Sequence, residues 1–307
     1  MNKLEAIKQQ YKEGIIDKWQ YIDMMYAVHA NLFEYAELIG NTNIGVIEIY
    51  SNRVIMTFRD SEIKFICIKD DKRLAPFETL NFGAYEESEL AMQMKLIEPG
   101  FNILDIGGNF GWYAMHIAKR NPHSKVYSFE PIPITYCYLN ENVKLNVFKN
   151  IETFNFGFSD KEGSFDFYFN PSLSVNASLA NVSNNMAIEK VKCIVKTLDN
   201  FSKNLNSSID FIKCDVEGAE LLVFKGGEKT LRKHHPIIFS EMLRKWTAKF
   251  DYHPNQIITF LKELGYLCFT LKESSLSIFK LVDNNTLETN YFFLHKEKHA
   301  DQIKKYS

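Results

Sequence analysis

The sequence predicts an α/β protein: a largely parallel, Rossmann-like sheet with helices on both faces, preceded by a small helical and β-stranded extension. Three observations carry this expectation. From residue 101 onward, short apolar runs alternate with helical patterns, the rhythm of parallel strands joined by crossover helices. Over residues 44–68 the apolar residues recur at period two, which suits short strands. Over 17–39 they recur every three to four residues, which is helical.

Taken in order, residues 2–13 read as a short helix closed by Gly14. Asp17 then offers an N-cap side chain, with Gln20 at the reciprocal capping-box position. Trp19, Ile22, Tyr26, Phe33 and Ile39 belong to one amphipathic helix of about six turns that ends at Gly40 and packs on the body or on a second subunit. Strands follow at 44–50, 53–58 and 63–68, then a helix over 84–97 stopped by Pro99-Gly100. The main rhythm places strands at 101–106, 125–129, 151–156, 209–214, 236–240, 266–271 and 291–295. Helical patterns lie at 111–120, 133–146, 218–232 and 255–264. The stretch 157–200 interrupts this with a hairpin around Asp160-Lys161-Glu162-Gly163 and an Asn/Ser-rich loop over 170–185. The organisation is therefore 1–83 as N-terminal helices and a small β meander, and 84–307 as the main domain.

Bulk properties narrow the class. The 307 residues are 46% apolar and 24% charged, ordinary for a globular protein. A formal charge of −2 gives no basic field to draw nucleic acid. No window approaches the ~20 apolar residues of a membrane span, and the charged N-terminus lacks the apolar stretch of a secretory signal. Five scattered cysteines without CxxC spacing fit a reducing cytoplasm better than a disulfide framework or structural zinc.

The chemistry concentrates at three strand ends. Asp105-Ile106-Gly107-Gly108-Asn109-Phe110-Gly111 lies between a buried strand and a helix, where glycines allow a tight turn and close approach to a ligand. A dinucleotide fingerprint beginning at Gly107 would need glycine at 109 and 112, where Asn109 and Trp112 stand. A P-loop would need Gly-Lys-Ser/Thr, which is also missing. With Asp105 ahead of the loop, the arrangement suits a ligand with a cationic aminoacyl end and no phosphates. Glu130 ends the second strand and can accept hydrogen bonds from both hydroxyls of an unphosphorylated ribose. Asp215 and Glu217, in Lys213-Cys214-Asp215-Val216-Glu217-Gly218-Ala219-Glu220, follow the fourth strand and face the same crevice as Gly107. Glu220 belongs to the first turn of the next helix, and Glu241 ends the fifth strand.

These residues resemble the FkbM family of methyltransferases. The matches are D-I-G-G-N-F-G-W-Y (105–113), F-E-P (129–131), G-F-S-D-K-E-G (157–163), T-L-D (197–199), K-C-D-V-E-G-A-E (213–220) and P-I-I-F-S-E (236–241). Gly83-Ala84-Tyr85-Glu86 resembles the family's approach segment. The likeness covers about residues 80–270; the family usually carries alanine where Gly108 stands.

The resemblance implies a seven-stranded class I methyltransferase sheet that binds S-adenosyl-L-methionine and passes its methyl to a hydroxyl, often of a sugar or natural product. Gly107, Gly108 and Asn109 would line the aminoacyl and ribose end, Glu130 the ribose, and Gly157 and Phe158 the adenine. Tyr85, Asp105, Phe110, Pro131 and Asp215 complete the implied cofactor-binding set. A hydroxyl is a poor nucleophile at neutral pH, so a base or a metal is expected. Asp215, Glu217 and Glu241 are the candidates. Asp215 and Glu241 occupy places comparable to metal ligands of catechol-type methyltransferases, and oxygen ligands would suit Mg2+. A third ligand is not evident, so no metal is the favoured reading. His253, in a loop with Trp246 and Tyr252, is a further catalytic candidate or simply the residue ahead of Pro254 at a helix start. His116 reads as structural, and His234 and His235 fall at the wrong sheet edge. The loop around Asn176 and Ser178 is a candidate acceptor segment. The acceptor is expected to be a small molecule or glycan. N- or C-transfer and a catalytically inactive cofactor-binding subunit stand as alternatives.

Overall fold

The computed structural model describes residues 1–169 and 189–307; the Asn/Ser-rich loop with Asn176 and Ser178 lies outside the described residues. The chain begins with α1 (Lys3–Lys12), α2 (Lys18–His29) and α3 (Asn31–Ile39). A three-stranded antiparallel sheet follows: β1 (Ile44–Ile49), β2 (Val54–Phe58) and β3 (Lys64–Cys67). Then come α4 (Ala75–Phe82) and α5 (Glu87–Leu96).

The main sheet opens with β4 (Asn102–Ile106), α6 (Trp112–Arg120), β5 (Lys125–Phe129), α7 (Pro133–Leu145) and β6 (Ile151–Phe154). A side sheet is made of β7 (Gly157–Phe158), β8 (Gly163–Phe169) and β9 (Glu189–Lys196), followed by α8 (Leu198–Ser202). The main sheet resumes with β10 (Phe211–Cys214), α9 (Glu220–Lys225), α10 (Glu228–His234), β11 (Ile237–Glu241) and α11 (Arg244–Thr247). It closes with α12 (Asn255–Glu263), β12 (Tyr266–Lys272), β13 (Ser275–Ile278), β14 (Asn290–His295) and α13 (Ala300–Tyr306).

Its strand order is β13-β12-β14-β11-β10-β4-β5-β6. The chain runs outward from β4 to β6, then returns to lay β10 against the other side of β4. That reversal is the topological switch point, where open α/β sheets hold their ligands. Parallel register pairs Ile106 with Cys214, so the residues that follow, Gly107 and Asp215, leave the sheet side by side. β4 and β10 are almost wholly buried, as central strands covered on both faces must be.

The expected seven-stranded arrangement is present with one strand added. β14 inserts antiparallel between β11 and β12. The eighth strand, β13, folds back on β12 through Glu273-Ser274, a turn without the glycine or asparagine that announces a two-residue hairpin.

Other elements also depart from the sequence reading. The six-turn helix is two helices parted at Ala30, where Phe33 N–H turns to the carbonyl three residues back, at 2.9 Å. Neither has a fully buried residue, but Ile39 at the end of α3 packs against the main core, so the expected packing on the body is present there. The helix at 84–97 starts only at Glu87, because Glu86 is left-handed (φ 47°). The unforeseen α4 has Pro76 in its first turn and Gly83 (φ 89°) behind it, both ordinary helix punctuation. The turn at 160–163 does not close a hairpin: β7 and β8 lie on either side of β9. The helix at 218–232 divides into α9 and α10 around Gly226-Gly227, where a Cβ at 226 would lie 2.1 Å from the Ser159 carbonyl oxygen.

The small sheet shares a core with the main one. Phe58 and Phe65 pack on Trp112 of α6. On α7, Asn142 accepts from Ile66 N–H at 2.9 Å, and Asn146 both accepts from and donates to the backbone of Lys64 at 2.8 Å. Two side chains one helical turn apart thus satisfy the open edge of β3.

Candidate active site

A cavity of about 310 Å3 opens at the switch point. Its floor is the loop after β4. Gly107 and Gly108 N–H both donate to the Phe129 carbonyl, at 3.0 and 2.8 Å. Gly107 has φ 77°, and a Cβ there would lie 1.8 Å from the Asp215 carbonyl oxygen. No other residue fits. Asn109 is left-handed as well (φ 48°), its N–H held by Glu130 Oε2 at 3.0 Å. Its Oδ1 is buried with no partner among the described residues.

Beneath the loop sits a lysine to which the sequence reading gave no role. Lys213 is buried, donates to the Gly107 carbonyl at 2.6 Å and lies 3.5 Å from Asp105 and 3.6 Å from Asp215. Burial works against its charge, but Asp215 and Asp105 prevail and raise its pKa above the ordinary lysine value. Asp105 is fully buried and also accepts from Ser128 Oγ at 2.7 Å. One ammonium therefore ties the ends of β4 and β10 together and balances the acids on both. A lone polar residue in the run Phe211-Ile212-Lys213-Cys214 was the available signal.

The far wall is the turn after β10. Glu220 is buried and its Oε1 accepts from Val216 and Gly218 N–H at 3.1 and 3.0 Å. Tyr252 donates its hydroxyl to the Gly218 carbonyl at 2.6 Å. Burial raises the Glu220 carboxyl to about 7, against the pull of those amides. So braced, the turn sets Glu217 left-handed (φ 54°) and presents Asp215 and Glu217 beside Glu241 at the end of β11. One carboxylate oxygen from each of the three lies within 4.8 Å of the others. Burial, then the neighbouring Asp215, pushes both Glu217 and Glu241 well above the carboxylate range. Asp215 thus stands beside Glu241 across the ends of β10 and β11.

The closeness of Asp215, Glu217 and Glu241 sets a third carboxylate oxygen beside the two that the sequence reading weighed as metal ligands. Oxygen donors of this kind suit Mg2+, and protons on the raised Glu217 and Glu241 carboxyls relieve the same repulsion.

Of the residues expected in the site, Tyr85, Gly107, Gly108, Asn109, Phe110, Asp215, Glu217 and Glu241 line the cavity. Trp112, Tyr113, Glu86 and Arg73 line it too and were not foreseen in it, and Trp246 of the loop with His253 joins them. Tyr85 meets Trp112 edge to face at 5.2 Å between ring centres. Burial lifts the Glu86 carboxyl to about 7, though a hydrogen bond from Tyr113 opposes the shift. The indole N–H groups of Trp112 and Trp246 are buried without partners among the described residues.

Glu130, Pro131, Gly157 and Phe158 gather beyond the other side of the loop. Glu130 is buried and spends one hydrogen bond on Asn109 N–H and another on Ile132 N–H, at 2.9 Å. Each carboxylate oxygen keeps a second acceptor site. Burial raises its pKa to about 7, against those two amides. The Pro131 ring borders Gly157, while Phe158 is buried among Phe129, Phe156 and Phe201. His253 does not reach the cavity. It is exposed ahead of α12 and accepts from Asn255 N–H at 3.3 Å, because the chain after β11 leaves the cavity rim at Trp246. His116 is buried against Trp112, and burial lowers its pKa to about 4.

A family model described as the methyltransferase FkbM domain matches residues 105–268, just over half of the chain. The chain belongs to the FkbM methyltransferase family. It is thus an enzyme of the S-adenosylmethionine-dependent methyltransferase class. It is similar to methyltransferase sdnD of Sordaria araneosa, 25% identical over 193 residues that cover 53% of this chain and 73% of the relative. Methyltransferase 1 of Beauveria bassiana is 28% identical over 182 residues, 53% and 71% of the two chains. The 2-O-methyltransferase NoeI of Sinorhizobium fredii is 29% identical over 154 residues, 45% and 62%. A solved FkbM methyltransferase from Methylobacillus flagellatus KT superposes with a TM-score of 0.41 at 17% identity, covering 70% of this chain and 52% of that one.

Proposed function

We propose that this FkbM methyltransferase transfers a methyl group to a hydroxyl, of a sugar in a glycan, glycolipid or secondary metabolite. The observation that carries the reading is the set of acids Asp215, Glu217 and Glu241 gathered beside the glycine loop in the cavity wall. When bound, the cofactor brings an activated methyl on a cationic sulfonium. What remains for the protein is to orient the acceptor, exclude water and take a proton.

Gly107, Gly108 and Asn109 line the cavity and set the loop against the space the cofactor would fill. Asp215, at the junction of β4 and β10, takes the acceptor proton. Trp112 and Trp246, in the cavity wall, offer aromatic surface to a ring. The family relative named a 2-O-methyltransferase supports oxygen as the receiving atom.

The three clustered carboxylates also favour a second reading, in which an amine is drawn to the acid cluster and methylated at nitrogen. Product analysis separates the two. Purified protein is incubated with methyl-labelled cofactor and a panel of glycans and hydroxylated small molecules, and the product is read by mass spectrometry and NMR. Label in a methyl ether, lost by a factor of about 10² or more in Asp215→Asn with cofactor binding retained, is the expected result. Label only on nitrogen or carbon, or full activity in Asp215→Asn, would overturn the proposal.

A further inference from the structure

The N-terminal helices carry an apolar surface that the chain itself does not cover. On α2, Tyr21, Met25 and Val28 are half-buried, and Tyr21 stacks on Tyr11 of α1 at 4.6 Å. Trp19, Ile22 and Tyr26 lie along a neighbouring stripe, three and four residues apart, and that stripe is open. Trp19 is 72% exposed, Tyr26 63%, and Leu32 and Phe33 on α3 are 56% and 67%. A helix with apolar residues over so wide an arc is ordinarily covered. Ile22 on that stripe and Tyr35, at the groove beside it, are exposed as well. At about 200 Å2 for a fully exposed large side chain, these six leave on the order of 700 Å2 of apolar surface open. The largest apolar patch of a typical monomer is about 300–600 Å2, whereas each side of a stable protein contact buries about 800 Å2.

Beside this surface is a groove of about 410 Å3 between α3 and the small sheet, walled by apolar residues including Leu32, Ile39, Ile47, Met56 and Phe77. Protruding rings and an apolar groove thus occupy one patch, which is what a self-complementary two-fold contact requires. Charge agrees. α1 exposes Lys3, Lys8 and Lys12 against Glu5, while α2 and α3 expose Asp23, Glu34 and Glu37 against Lys18. A two-fold contact that crosses α1 of one copy over α3 of the other would pair these opposite net charges. The same charges argue against a lipid surface. Residues 17–40 carry Asp17, Asp23, Glu34 and Glu37 against Lys18 alone, the reverse of a membrane-seeking helix.

We propose that α1–α3 and the adjoining groove form the interface of a homodimer, with the rings of one copy seated in the groove of the other. The test is the molar mass of the full chain by light scattering and sedimentation at micromolar concentration. Wild type is expected at twice the chain mass. Trp19→Asp and, separately, Phe33→Asp are expected to raise the dissociation constant by at least tenfold while melting as cooperatively as wild type. Val147→Asp, which alters an exposed apolar side chain outside the patch, is expected to leave the dimer intact. Three results would overturn the proposal: a monomeric wild type at tens of micromolar, a dimer indifferent to both patch variants, or a monomer that floats with vesicles of phosphatidylcholine and phosphatidylserine.

Discussion

Gly108 and Ser128 share one small volume. A Cβ at position 108 would lie 2.1 Å from Ser128 Oγ, and that hydroxyl donates to Asp105 Oδ2 at 2.7 Å. A serine on the adjacent strand thus fills the space that a side chain at 108 would need. Gly108→Ala should expel the hydroxyl from Asp105 and cost about 1–3 kcal/mol, the usual penalty for unpairing a buried polar group. Gly108→Ala combined with Ser128→Ala should recover a large part of the loss. Denaturant unfolding of the two single variants and the double variant measures the coupling; purely additive effects would contradict the pairing.

Lys213 is the hinge pin of the cofactor loop. Lys213→Met leaves Asp105 without its nearby cation and the Gly107 carbonyl without its donor. A destabilisation of about 3–5 kcal/mol is expected, as for other broken buried ion pairs. Lys213→Arg should not restore stability, since a planar guanidinium cannot reach the three partners that a compact ammonium does. Chemical denaturation of both variants tests this, and a wild-type midpoint in either would contradict it.

Stability should fall as the solution becomes alkaline. The folded carboxyl of Glu220 is raised to about 7, as are those of Glu86 and Glu130, each by burial above all. The folded state therefore holds protons more tightly than the unfolded chain. That contribution is complete below the unfolded carboxylate pKa of ~4.3 and is lost as pH rises through about 7. Glu220→Gln keeps an acceptor for Val216 and Gly218 and cannot ionise. It should flatten the decline in melting temperature between roughly pH 5 and pH 8, by on the order of 3 kcal/mol at most per carboxyl. An unchanged slope would remove Glu220 from this account.

Burial and the neighbouring Asp215 raise the Glu217 and Glu241 carboxyls, which bears on metal. If protons on those two groups balance the cluster, methyl transfer should survive EDTA, and added Mg2+ should raise the rate less than twofold. Loss of activity in EDTA with recovery in Mg2+ would assign Asp215, Glu217 and Glu241 to a cation instead.

Much of the site could be read from the sequence because strand ends are visible as local patterns and the switch point brings them together. Asp105, Gly107, Asp215 and Glu241 are sites of this kind. Glu217 joined the acids in the sequence reading, but its place as a third close oxygen depends on a left-handed turn braced by Glu220 and Tyr252. Lys213 was hidden for the opposite reason: its partners come from three separate segments, and a strand lysine by itself suggests only a break in the apolar pattern. His253 misled because a loop that follows the correct strand end need not remain there. Helix boundaries failed where backbone geometry overrode periodicity, at Ala30 and Glu86. Periodicity left open whether the apolar surface of α2 and α3 packs on the body or on a second subunit.

The most direct measurement is calorimetric titration of the purified chain with S-adenosylmethionine and, in parallel, with NADH. The account predicts saturable binding of the first and none of the second. Glu130→Gln, which retains one acceptor toward the loop and weakens the grip on ribose hydroxyls, should reduce affinity at least tenfold without unfolding the protein. A folded wild type that ignores S-adenosylmethionine, or that binds NADH in its place, would contradict the reading of the glycine loop on which the proposed function rests.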